Sequence, residues 1–308
     1  MHSGEGICPY CGVGCRVWVE AEGDRLLRVN GVADAPANRG KLCPKGGHLW
    51  RVVDTPDRLI TPQVRLPGTS EFRPVSWDTA LDTVAGALRT LVEHYGPDSV
   101  AFYGSGQLDT EAVYLASKLF KGYLGTNNTD SNSRLCMASA VAGYVSSLGA
   151  DGPPTCYDDL DEADCFLILG ANMADAHPVL WDRIRAAKKR RPEIRLIVVD
   201  PRRTKTADGA DLHVPLAPGT DLAFLNAVAR LLLDSGRHDA PFIEAHTDGF
   251  AQFTELLREI DVDECARICR VERGLLETTA EWIGDAGAFL SLYSMGANQS
   301  TVGVWKNN

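Results

Sequence analysis

Cys165-Phe166-Leu167-Ile168-Leu169-Gly170-Ala171-Asn172 is the stretch that decides the fold. Its unbroken apolar run, without polar alternation, describes a strand covered on both faces, as in a parallel sheet flanked by helices. Glycine ends the strand, and a helix is expected around Val179–Lys189. The phrase then recurs: Ile194–Val199 is a second apolar strand, ending in Asp200-Pro201-Arg202. Upstream, Val100–Tyr103 runs into Gly104-Ser105-Gly106-Gln107, and residues 110–123 read as a helix. Downstream, residues 220–235 read as a helix begun by Thr220 or Asp221 and stopped at Gly236. Residues 288–295 read as a final strand, followed by Gly296-Ala297-Asn298-Gln299. Alternation of this kind predicts a doubly wound, mostly parallel α/β sheet.

In open α/β sheets, ligands sit at the carboxyl ends of the strands. Those ends carry Gly104, Gly106 and Gln107, then Gly170 and Asn172, then Asp200, Pro201 and Arg202. Pro218, Gly219 and Asp221, and finally Gly296 and Gln299, complete the set. Arg202 offers a fork for phosphate, and Asp200 or Asp221 can accept from ribose hydroxyls or a guanine edge. Any one of these sites alone reads as ordinary turn chemistry; together they favour a nucleotide-like ligand. No G-x-G-x-x-G occurs, so a nicotinamide cofactor has little support.

The amino-terminal segment carries a different chemistry. Cys8, Cys11 and Cys15 form C-x2-C-x3-C, and Cys43 follows from a distant segment. Gly12 and Gly14 let the intervening backbone curl, since glycine tolerates positive φ. Four cysteines so arranged suit a cubane [4Fe–4S] cluster, which takes one per iron. A structural zinc site is the rival, although such sites usually pair two C-x2-C units. A hairpin is expected over residues 15–30 around Glu22-Gly23-Asp24. A Pro- and Thr-rich stretch from Thr55 to Pro74 marks the first boundary. Ser76 then caps a helix beginning at Trp77, with Leu81, Val84, Leu88, Leu91 and Val92 at helical spacing.

Of 308 residues, 44% are hydrophobic and 23% charged, which permits a sizeable core in one large domain or two. A net charge of −10 argues against nucleic acid or an anionic membrane as the main partner, but leaves room for a small anion in a local basic pocket. No stretch approaches the roughly 18 apolar residues of a membrane span. Nine cysteines with no export signal ahead of Cys8 point to a reducing cytoplasm rather than a disulfide framework. The strand and glycine turn so near Asn308 read as the interior of a longer polypeptide. Cys156, Cys165, Cys265 and Cys269 read as packing thiols, and His177 as structural.

One more cysteine changes the reading. Cys136 lies in Asn132-Ser133-Arg134-Leu135-Cys136-Met137-Ala138-Ser139, where polar neighbours could stabilise a thiolate. Taken with Cys8-Pro-Tyr-Cys-Gly-Val-Gly-Cys15, Cys43-Pro-Lys-Gly46, Thr155-Cys-Tyr-Asp-Asp159 and Gly170-Ala-Asn-Met-Ala-Asp-Ala-His-Pro178, it resembles the molybdopterin oxidoreductase family. Within the family the chain is most similar to assimilatory nitrate reductase catalytic subunits, over Cys8 to Gln299.

The resemblance implies a small N-terminal [4Fe–4S] domain over 1–57. An α/β segment over 58–140 would end at the molybdenum-ligand loop. A Rossmann-like domain over 141–308, incomplete at its carboxyl end, would bind molybdopterin guanine dinucleotide. Cys8, Cys11, Cys15 and Cys43 would hold the cluster, Lys45 would link it to the pterin, and Cys136 would be the protein ligand to molybdenum. Gln107, Asn132, Gly170, Asn172, Asp175, Asp200, Pro201, Arg202, Thr204, Gly219, Asp221, Met295 and Gln299 would contact the two dinucleotides. Arg134 would lend positive field.

The implied activity is reduction of nitrate to nitrite, with electrons entering at the cluster one at a time from ferredoxin, flavodoxin or an NAD(P)H-linked subunit. The rival branch, formate dehydrogenase, typically places a proton-accepting His after its metal-binding residue, where this chain has Met137. A molybdenum-free electron-transfer subunit is a third reading, opposed by the intact Cys136 motif. The present residues alone are expected to be inactive, because later segments in the family complete the second pterin site.

Overall fold

The structure is a computed structural model that describes residues 1–304. The chain divides into two compact units, Met1–Leu135 and Cys136 onward. The first opens with an antiparallel sheet of β1 (His2–Ile7), β2 (Arg16–Glu22) and β3 (Arg25–Gly31), in that order. The β2–β3 hairpin turns at Gly23, whose φ of +58° is open to glycine, as the sequence anticipates. β1 is an addition. Its His-Ser-Gly-Glu-Gly-Ile has no apolar alternation to announce it, and it pairs at the edge of β2 with Ile7 opposite Arg16.

Two short helices, α1 (Pro44–Gly47) and α2 (Leu49–Val53), follow. The Pro- and Thr-rich boundary folds into a small hairpin of β4 (Gln63–Arg65) and β5 (Phe72–Pro74). α3 (Trp77–Tyr95) begins as expected, with Ser76 Oγ accepting from the Thr79 N–H at 3.2 Å. Its apolar side is not covered, however: no residue of α3 is buried, and Trp77, Leu81 and Val84 are each more than half exposed. β6 (Phe102–Gly104) starts later than its apolar run, leaving Val100 buried but outside the pairing. α4 (Thr110–Ser117) continues as a π-wound turn over Lys118–Leu124, so the helix expected to 123 changes winding part-way. β7 (Thr129–Ser131) pairs parallel to β6. α5 (Ser133–Leu148) carries the chain across the boundary between the units.

The second unit contains α6 (Asp159–Glu162), β8 (Cys165–Leu169), α7 (Met173–Ala176), α8 (Pro178–Arg190) and β9 (Arg195–Val199). Next come α9 (Lys205–Asp208), β10 (Leu212–Val214) and α10 (Asp221–Asp234). Four helices then run in series: α11 (Ala240–His246), α12 (Phe250–Arg258), α13 (Val262–Cys269) and α14 (Arg273–Gly284). β11 (Phe289–Tyr293) and α15 (Met295–Asn298) close it. The strands form one parallel sheet in the order β10-β9-β8-β11. The sheet is doubly wound, with the chain leaving β8 toward β9 on one side and returning to pair β11 on the other.

The unbroken apolar strands have the expected cause. Cys165, Leu167 and Leu169 pack with α10, α13 and α14, while Phe166 and Ile168 pack on the opposite face against Trp181, Ile184 and Ala187 of α8. Cys265 and Cys269 are buried in the first of these layers. Cys156 is exposed, which corrects its reading as a packing thiol. Met295, placed by sequence at the end of the last strand, is instead the first residue of α15.

The Thr155–Asp159 motif is used structurally. Its Asp158 pairs with Arg183 of α8 at 3.0 Å, and Asp159 Oδ2 accepts from the Cys156 N–H at 2.7 Å. Arg183, only 6% exposed, also pairs with Asp161, so one buried guanidinium fastens α6 to α8.

Candidate metal and cofactor site

In the first unit, Cys8 and Cys15 are buried, Cys43 is half-buried and Cys11 exposed. The Cys8 N–H donates to the Cys15 carbonyl at 2.9 Å, closing the loop that carries three of the four thiols. Gly14 makes its bend at φ +73°. Cys43 is the N-cap of α1, its Sγ accepting from the Gly46 N–H at 3.4 Å. Burial pushes the Cys15 thiol up to about 11, with Cys11, Cys8 and Cys43 adding to the rise. Burial also raises Cys8, and there Cys11 and Cys43 add to the shift while Lys45 opposes it.

Cys8 and Cys15 therefore sit within electrostatic reach of each other and of Cys11 and Cys43, with Lys45 in reach of Cys8. Lys45 Nζ stands 5.3 Å from the centre of the Tyr10 ring. Thiols so gathered ionise together only when a cation takes up their charge. Among the described residues, no three His, Cys, Asp or Glu side chains close tightly enough to cage one metal ion. Four cysteines serving four separate irons do not have to. A donor set made of sulfur alone fits a [4Fe–4S] cluster.

In the second unit, the strand order turns back between β8 and β11, and this switch point is where open sheets take ligands. Gly170 lies there at φ +56°, and a Cβ on it would stand 2.8 Å from Gly296 Cα. The Gly296 N–H donates to the Gly170 carbonyl at 3.0 Å. The freedom of Gly170 thus brings two loops of the chain together.

Next to it, Asn172 Nδ2 donates to Asp175 at 2.9 Å, and Lys205 Nζ does so at 2.8 Å. The Lys205 contact, followed by that of Asn172, holds the Asp175 carboxyl below its usual range. Thr206 Oγ1 donates to Asn172 Oδ1 at 2.9 Å, which fixes the amide. Asp200 is buried and accepts from the Arg202 N–H at 2.8 Å, leaving the Pro201 and Arg202 side chains exposed. Thr204 is buried, and its Oγ1 caps α9 by accepting from the Ala207 N–H at 3.3 Å. Gly219 turns at φ +84°, and Asp221 is buried in the first turn of α10, where the helix dipole favours a carboxylate. Gln299 is exposed just past α15. His177, at the end of α7, keeps its Nδ1 buried without a hydrogen-bond partner among the described residues.

Cys136 is in the first turn of α5, with its Sγ 3.4 Å from Met295 Sδ, so the chain brings together two residues named from sequence. Asn298 is the residue that sequence reasoning misses. It is buried, and its carboxamide reaches Cys136, Met137 and Ala140. The glycine turn after the last strand is its only visible signal, and there Gln299 draws the attention. Met137 lines a cavity of about 420 Å³ with Tyr144, Pro153, Pro154 and Tyr293.

Arg134 pairs with Asp130 at 2.9 Å, so the positive field expected of it is largely neutralised. In the first unit, Asn132 Oδ1 accepts from the Gly106 N–H at 2.7 Å, and the Gln107 N–H donates to Ser105 Oγ at 3.1 Å. Gly104, Ser105 and Gly106 line a cavity of about 300 Å³ at the carboxyl ends of β6 and β7.

Residues 58–308 match the molybdopterin oxidoreductase family, and residues 1–55 match the molybdopterin oxidoreductase Fe4S4 domain. The chain belongs to the molybdopterin oxidoreductase family. Its cofactors are accordingly a [4Fe–4S] cluster and molybdenum held by molybdopterin.

A nitrate reductase of Symbiobacterium thermophilum is 44% identical over 98% of this chain and 41% of its own length. A periplasmic nitrate reductase of Desulfovibrio desulfuricans is 42% identical over 99% of this chain and 41% of its own. This molybdopterin oxidoreductase chain thus spans about two fifths of the length of the curated relatives it matches. Among solved structures, acetylene hydratase from Pelobacter acetylenicus shares its fold, with a TM-score of 0.86 at 23% identity over 98% of this chain and 42% of that one. Among the described residues, no helix of this family member is long and apolar enough to cross a membrane.

Proposed function

We propose that the polypeptide to which this sequence belongs reduces nitrate to nitrite, drawing electrons through its cluster. The observation that carries the reading is Cys136 beside Met295 at the switch point of the sheet, with Met137 as the next residue. Relatives named nitrate reductases, at 40–44% identity, support it. When bound, the molybdenum cofactor supplies two-electron oxygen-atom transfer, and the cluster supplies electrons singly.

The chain's own part is ligation, orientation and field. Cys8, Cys11, Cys15 and Cys43 would hold the cluster, and Lys45, beside Cys8, would serve electron passage toward the pterin. Cys136 gives a thiolate to a metal already held by sulfur, for which its softness suits it. Asn172, Asp175, Asp200, Arg202, Gly219, Asp221, Met295 and Gln299 would contact dinucleotide along the carboxyl edge of the sheet, and the resemblance gives Gln107 and Asn132 the same role. Thr204 and Gly170 serve by shaping loops. Met137 neither takes nor gives a proton, which suits transfer of an oxygen atom and not proton abstraction from formate.

The domain limits follow the same reading: 1–57 for the cluster, 58–140 up to the metal loop, and 141–308 for the dinucleotide. A ferredoxin, a flavodoxin or an NAD(P)H-linked subunit would deliver electrons. Assimilatory use follows the family resemblance, and cytoplasmic placement follows nine cysteines that read as thiolate ligands and packing thiols rather than a disulfide framework. The relative named periplasmic is the counter-example that cell fractionation would weigh.

The test is a pair of assays on the purified full-length polypeptide, reduced viologen with nitrate and formate with an oxidised dye. Nitrate turnover without formate turnover is expected. Formate oxidation without nitrate reduction would sink the proposal.

A further inference from the structure

Asn298 lies at the end of α15 and is 2% exposed. Its Oδ1 accepts from the Ala140 N–H at 2.9 Å, and its Nδ2 donates to the Cys136 carbonyl. In an α-helix, those two backbone groups, four residues apart, are each other's normal partners. One buried carboxamide therefore engages both ends of the helix bond that begins at Cys136. The same Nδ2 stands 3.6 Å from Met137 Sδ. The loop is pressed close as well: a Cβ on Gly303 would meet the Asn298 carbonyl at 2.3 Å and Ser139 Oγ at 2.6 Å. Only a side chain with a donor and an acceptor at amide spacing can make both bonds.

We propose that Asn298 is a positioning residue for Cys136. Its carboxamide fixes the first turn of α5, and with it the direction in which Cys136 Sγ points beside Met295 Sδ. This inference rests on Cys136 as the molybdenum thiolate, and its test keeps the two claims apart. Asn298→Leu removes both bonds at similar volume, and Asn298→Asp keeps the acceptor for Ala140 but puts an oxygen against the Cys136 carbonyl. In Asn298→Leu the Cys136 carbonyl and the Ala140 N–H keep only each other, and losing one net hydrogen bond raises local opening about two- to tenfold.

In the full-length polypeptide purified without cofactor, hydrogen exchange at the Ala140 amide should rise about two- to tenfold in Asn298→Leu and less in Asn298→Asp. Iodoacetamide labelling of Cys136 should accelerate in both. In the loaded enzyme, the molybdenum EPR signal should shift in Asn298→Asp while iron content stays constant. Unchanged Cys136 labelling in both variants overturns the inference. Should Asn298→Leu fail to fold, labelling of Asn298→Asp alone decides it. A Cys136→Ala variant with an unaltered molybdenum signal would overturn the ligand assignment instead, and leave the labelling result to judge Asn298 separately.

Discussion

Arg183 shows how a single residue holds the site's scaffold. Its guanidinium, buried between α6 and α8, pairs with Asp158 and Asp161. Asp158 is largely exposed and Asp161 keeps Arg190 at 3.5 Å, so Arg183→Ala should destabilise the fold by about 1–3 kcal/mol in denaturant unfolding, mainly through lost buried hydrogen bonds. A loss under 1 kcal/mol would mean that water solvates the site.

Gly170 makes a second case. Any side chain there meets both the positive φ and the Gly296 backbone, so Gly170→Ala should lower the melting temperature and loosen the loop carrying Met295. Residues like these mark the limit of reading a sequence. A glycine at a strand end is visible, but whether its freedom serves a ligand or another strand of chain depends on a partner 126 positions away. The cap made by Thr204 is hidden for the same reason, because a cap and a ligand contact use the same hydroxyl. Asn298 escapes because its partners lie on a helix far back in the sequence.

At the scale of elements, the legible parts are those whose pattern follows from local burial. Cys165–Leu169 is recovered residue for residue, since a strand covered on both faces has no polar position to blur its ends. Ser76 announces α3 because capping is a short-range hydrogen bond. The helices over 240–284 do carry local signals, with Asp239 and Asp261 capping α11 and α13, whereas the edge strand β1 has no apolar alternation to announce it. The two-faced packing of β8 also fixes a magnitude. Phe166 is fully buried against α8, and Phe166→Ala should cost about 3–5 kcal/mol in thermal or denaturant unfolding. A near-neutral result would contradict the packing described.

At the scale of the molecule, this chain spans about two fifths of the relatives it resembles, and the apolar side of α3 lies in solvent. Residues 1–308 alone should therefore gain a brown, iron-bearing chromophore on cluster reconstitution and yet show no nitrate turnover. Turnover by this stretch alone would contradict that expectation.

The proposed nitrate reduction depends most on the proposal that Cys136 is the thiolate ligand to molybdenum. Its most direct test is viologen-linked nitrate reduction by the full-length polypeptide and by its Cys136→Ala variant, compared at equal iron content. The account predicts turnover in the first and background rates in the second, with the cluster intact in both. A variant reducing nitrate at the parent's rate would contradict it.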